Sequence, residues 1–207
     1  MPEARTTEQI ASMKNAPSRT PRGSNSSVAV RVDPPSTDQR TFAGRERLYQ
    51  ISYPSNWQVY EGSGHAVTLA PEGGISAVNG NSEVVYGAIL NHYEPFGNVR
   101  PRGTDATIEE ATQDLIKQIQ QSSPYLKVVR GSGQTLRLAG GKGLGASLTG
   151  TSPATGNKER VTAVTRQLSD GHLIYMLFIT PDEAARSYGG VLTSMVQSIR
   201  VDDNRQH

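Results

Sequence analysis

The chain has 207 residues, of which 35% are hydrophobic, with 21 glycines and 12 prolines. This suits one packed domain diluted by a polar segment that buries too little apolar surface to offset its ordering entropy. A net charge of +2 and the lack of cysteine exclude a strong pull on nucleic acid or membrane, disulfides, thiolate catalysis and cysteine-ligated zinc.

Residues 1–47 carry eight Arg and Lys against five Asp and Glu, so the basic excess lies in the N-terminal arm and the remainder is close to neutral. Residues 1–44 are rich in Ser, Thr, Pro, Arg and Asn and read as a flexible basic linker, with a short helix over 7–14 and an edge strand over 28–32 as its only structured candidates. Its opening, MPEARTTEQIASMK, has no apolar stretch of the kind a signal peptide needs. No apolar run approaches the ~20 residues of a membrane-spanning helix.

A domain is expected over 45–203, followed by a tail over 204–207. Tyr49, Ile51 and Tyr53 alternate with polar residues, as in a half-buried strand. Pro54-Ser55-Asn56 breaks this strand, and Trp57 and Val59 start a second. A third strand spans 66–70, and a longer one 84–93 ends at Glu94-Pro95. Thr107 and Glu110 form a capping box, after which Ile108, Ala111, Leu115 and Ile119 share one face of a helix that Ser122-Ser123-Pro124 stops.

Strands are then expected over 126–130, 135–138, 145–151 and 160–168. Ser169-Asp170-Gly171 reads as a hairpin turn, and His172–Ile179 as the central, most apolar strand. The run Thr180-Pro181-Asp182-Glu183 looks like a second capping box. Thr180 would be the N-cap of a helix striped by Ala185, Tyr188, Leu192, Met195 and Ile199, weakened by Gly189-Gly190. Hairpin-length connections imply an α+β fold with a mostly antiparallel sheet covered by two amphipathic helices.

The inventory of chemistry is sparse. Gly140-Gly141-Lys142-Gly143 lacks the Ser or Thr of a phosphate loop and precedes a strand, so a tight turn is expected. His65, His92, His172 and His207 are far apart in sequence and form no H-E-x-x-H or i, i+4 pair, so neither metal nor cofactor is expected. No G-x-S-x-G elbow occurs. The loop 91–103 carries Tyr93, Phe96, Arg100 and Arg102. These residue types suit a partner-binding surface, the alternative being that the two aromatic rings fold back onto the core.

The string YQISYPSNWQV (49–59), together with the closing MVQSI (195–199), resembles PsbP-like domains, which implies a PsbP-like α/β sandwich. The succession RVDPPST (31–37), ISYPSNWQVY (51–60), VTLAPEGG (67–74), GAILNHYEPF (87–96), SPYLKVVRGS (123–132), TGTSPATGNKERVT (149–162) and YMLFITP (175–181) resembles the region after the catalytic domain of bacterial HtpX-like, beta-barrel-assembly-enhancing zinc metalloproteases. Those proteases act through H-E-x-x-H with a further carboxylate. Nothing here matches it, so no catalytic or zinc residue carries over. The resemblance implies a non-catalytic binding module of the periplasm or cell envelope. Its partner would be a protein, a metalloprotease or its substrate, rather than nucleic acid. A small-ligand carrier or motif-less enzyme with a pocket between sheet and helix is the alternative.

Overall fold

A computed structural model describes residues 32–78, 81–96 and 106–202. An eight-stranded sheet forms the body. Its order is β3 (Trp57–Glu61), β4 (Val67–Pro71), β7 (Gly87–Tyr93), β12 (Leu173–Pro181), β11 (Lys158–Gln167) and β10 (Gly141–Thr151), with β8 (Lys127–Val128) and β9 (Gln134–Leu138) both on the outer edge of β10. Every pairing in it is antiparallel. A smaller antiparallel sheet joins β1 (Gln39–Ala43), β2 (Tyr49–Pro54) and β13 (Arg200–Val201), and β5 (Ile75–Val78) and β6 (Asn81–Val84) form a separate hairpin.

β12 shows how the sheet is buried on both faces. Ile174, Met176 and Phe178 point into one core with Trp57, Met195 and Ile199. Leu173, Tyr175, Leu177 and Ile179 point into the other, with Ile108, Ala111, Leu115 and Ile119 of helix α1 (Ile108–Ser122). The period-2 alternation of a strand therefore feeds two cores, which is why the segment reads as a continuous apolar run. One face is covered by α1. The other is covered by the small sheet, through Tyr49, Ile51 and Tyr53, and by helix α2 (Gly189–Ser198).

The capping box that opens α1 forms as expected: the Glu110 amide donates to the Thr107 hydroxyl, and the Thr107 amide to the Glu110 carboxylate. The glycine cluster is a tight turn, with Ala139 and Gly140 both at positive φ and β10 running on from Gly141.

Four expectations are corrected. First, β1 lies inside the segment read as linker. It pairs with β2 from Gln39 opposite Pro54 to Ala43 opposite Gln50, so the packed unit starts before residue 45. Second, the long strand over 84–93 is two strands, broken at Val85-Tyr86, whose amides both donate to the Gly74 carbonyl. Third, the strand over 126–130 is only two residues long. Fourth, Thr180 caps no helix: β12 keeps its ladder with β11 as far as Pro181 opposite Glu159. Asp182 instead accepts from the Arg160 guanidinium at 2.8 and 3.0 Å, and only a 3-10 turn over Asp182–Ala184 follows. Gly189 and Gly190 open α2 and so do not interrupt it. The helix and strand proposed over 7–14 and 28–32, and the tail over 204–207, lie outside the described residues or are almost wholly outside them.

Candidate functional site

Three of the four histidines, far apart in sequence and without a metal-binding motif, meet at one end of the main sheet. The register brings this about. His92, near the end of β7, pairs with Ile174 of β12. His172 lies two residues before Ile174 on the same face, so it is the diagonal neighbour of His92. β4 pairs Val67 with Leu90, and two further steps along that register set residue 65 across from residue 92. The ring centroids are 4.8 Å apart for His92 and His172, and 5.9 Å for His65 and His92.

An acid completes the group. Asp170, in the β11–β12 turn, accepts a bond from the His172 amide at 2.9 Å through Oδ1, while its Oδ2 lies 3.3 Å from His172 Nδ1. That same Nδ1 is 3.0 Å from His92 Nε2. Asp170 and His172 are partly exposed. Burial, and then the neighbouring His172, push the His92 pKa down to about 4, so this imidazole is neutral at physiological pH. The Tyr49 hydroxyl donates to the His65 carbonyl and ties the β3–β4 hairpin to the small sheet. The His65 Nδ1 is buried and has no hydrogen-bond partner among the described residues.

Of the loop residues singled out from the sequence, Tyr93 is buried, with its ring edge-on to Tyr175 at 6.5 Å. Its hydroxyl donates to Asp114 Oδ2 at 2.6 Å, and desolvation, reinforced by that bond, raises its pKa. Phe96 is half-buried at a φ of 60°, and its amide donates to the same Asp114 oxygen at 2.8 Å. Arg100 and Arg102 lie outside the described residues. The first turn of this loop is therefore drawn inward, onto α1.

A second feature is a groove of about 550 Å³ between α1 and the outer strands. Ile116, Val128 and Leu144 give it apolar walls, and Val128 is a large hydrophobic residue left 46% exposed. Gly133 and Gly145 also line it. Several of its polar groups are already engaged. The Thr112 hydroxyl bonds that of Thr165 at 2.7 Å, the Gln120 amide donates to the Leu126 carbonyl at 3.1 Å, and Glu109 pairs with Lys142.

No family model matches the chain, and no curated protein is similar to it in sequence. Solved structures are similar in fold. Cyanobacterial PsbP (CyanoP) from Synechocystis sp. PCC 6803 superposes with a TM-score of 0.54 at 12% identity, covering 88% of this chain and all of that one. The Ran-binding protein Mog1p of Saccharomyces cerevisiae gives a TM-score of 0.53 at 10% identity, covering 80% of this chain and 96% of that one. The chain has a PsbP-like α+β fold with a mostly antiparallel sheet.

Proposed function

We propose that this domain is a non-catalytic docking module that binds a protein through the groove between α1 and β8–β10. We further propose that its partner, in a bacterial cell envelope, is an HtpX-like zinc metallopeptidase or a substrate of one. The observation that carries the reading is the groove itself: Ile116 and Leu144 give it apolar walls beside Val128, which is 46% exposed. Of the groove's polar lining, Thr112, Gln120 and Glu109 are spent on structural bonds, and Gln113, Lys117, Gln134 and Thr135 give the apolar walls a polar rim of the kind protein contacts have. That Mog1p is a Ran-binding protein on the same fold supports a protein partner. The ordered resemblance over residues 31–181 supports the peptidase setting.

The test is biolayer interferometry of the full chain against an HtpX-like peptidase encoded in the same genome. Association at about micromolar Kd is expected, weakened at least about tenfold by Val128→Glu, which places a charge in the apolar contact. The substituted side chain is exposed, so the variant keeps its fold by circular dichroism. No association, or association indifferent to Val128→Glu, would overturn the proposal.

A further inference from the structure

We propose that His92, His172 and Asp170 form a binding site for a divalent transition-metal ion such as zinc, with His65 at its border. Two imidazole nitrogens and one carboxylate oxygen, all within 4.8 Å of one another, make a donor set that suits such ions. Oxygen-seeking magnesium and calcium are poorly served by it.

The spacing fits coordination. Ligands about 2.0–2.1 Å from a tetrahedral ion lie roughly 3.3 Å from each other. The two edges that meet at His172 Nδ1 measure 3.0 Å to His92 Nε2 and 3.3 Å to Asp170 Oδ2. Drawing the three ligands around one ion leaves only the His92–Asp170 edge to close, and Asp170 stands on a turn.

Protons alone serve the cluster badly. A protonated His172 Nδ1 has one hydrogen for two neighbours. A bare Nδ1 can accept from His92 but then turns a lone pair toward the carboxylate. A cation between the three atoms satisfies all of them at once.

The ligands are also held in place, as good metal ligands are. His92 sits in the β7–β12 ladder. The His172 carbonyl accepts from the Leu168 amide, and its own amide holds Asp170 Oδ1, so that Oδ2 remains for the ion. His65, whose Nδ1 is buried and has no hydrogen-bond partner among the described residues, borders the group with its ring centroid 5.9 Å from that of His92. The Asp170 and His172 side chains are 26% and 30% exposed, so an ion can enter from solvent. The site shares no residue with the docking groove, so either proposal can fail without the other.

The experiment is calorimetric titration of the chelator-treated full chain with Zn²⁺, with Mg²⁺ as control and the visible absorption of Co²⁺ as an independent readout. One ion per chain with a Kd at or below about 10 µM is expected, with tetrahedral Co²⁺ bands and no response to Mg²⁺. His92→Gln and His172→Gln each weaken Zn²⁺ binding about 100-fold, and Asp170→Asn weakens it about tenfold. His172 and Asp170 are partly exposed, so their variants stay folded and keep the test decisive even if His92→Gln does not. Zn²⁺ binding no tighter than about 1 mM, or tight binding unchanged in His172→Gln and Asp170→Asn, would overturn the site.

Discussion

Alanine at position 87 is expected to cost about 3–4 kcal/mol and to lower Tm by about 10 °C, because two penalties fall on one methyl group. Gly87 opens β7 at a φ of 151°, a conformation that L side chains rarely adopt. A Cβ there would stand 2.6 Å from the Leu69 carbonyl oxygen and 3.1 Å from the Ala70 methyl. Neither neighbour can swing aside, since both belong to β4, which is laddered to β7 from Leu69 opposite Ala88 to Val67 opposite Leu90. Gly64 supplies the control. It too has a positive φ, 63°, but nothing lies within 4 Å of its would-be Cβ, so Gly64→Ala carries only the backbone strain of about 1 kcal/mol. Chemical denaturation of both variants separates strain from collision. Equal losses would mean that β4 and β7 part easily, and the account of this contact would be wrong.

The second large effect belongs to Asp114. One carboxylate oxygen accepts both the Tyr93 hydroxyl and the Phe96 amide, and so pins the chain leaving β7 to α1. Asp114→Ala strands a buried phenol and a backbone amide together, and a loss of about 2–3 kcal/mol is expected. Tyr93→Phe removes only one of the two bonds and should cost about 1 kcal/mol. Once Asp114 is gone, Tyr93→Phe should recover part of that loss, because it removes a buried phenol that no longer has an acceptor. A double-mutant cycle measures this directly. Strict additivity of the two losses would show that the Tyr93 bond to Asp114 contributes nothing to stability.

The elements most legible in the sequence are those whose side chains obey one local rule. The capping box at Thr107 and Glu110 and the alternation of Tyr49, Ile51 and Tyr53 each needed only a few consecutive residues. The misreadings arise where a distant partner decides. Thr180-Pro181-Asp182-Glu183 has the pattern of a helix start, but the ladder to β11 continues through it and Arg160 claims Asp182. Likewise Gln39–Ala43 is too polar to announce a strand, and it becomes one by pairing with β2. The histidine cluster is the extreme case: its members come from three separate turns or strand ends. A usable signal was nonetheless present. One apolar strand ends in His92-Tyr93 and another begins with His172-Leu173. Pairing them antiparallel by their apolar residues makes the two imidazoles diagonal neighbours.

The small sheet also fixes how the domain would bear tension. Its first and last strands flank β2 on opposite edges, with Gln39 beside Pro54 and Val201 beside Tyr49, so the leads into and out of the fold leave from opposite ends of one central strand. A pull on both leads runs along the strands and loads their bonds in shear, all at once, instead of peeling them apart one by one. Single-molecule stretching of the full chain should therefore give one high-force rupture, and a gradual low-force extension would contradict this arrangement.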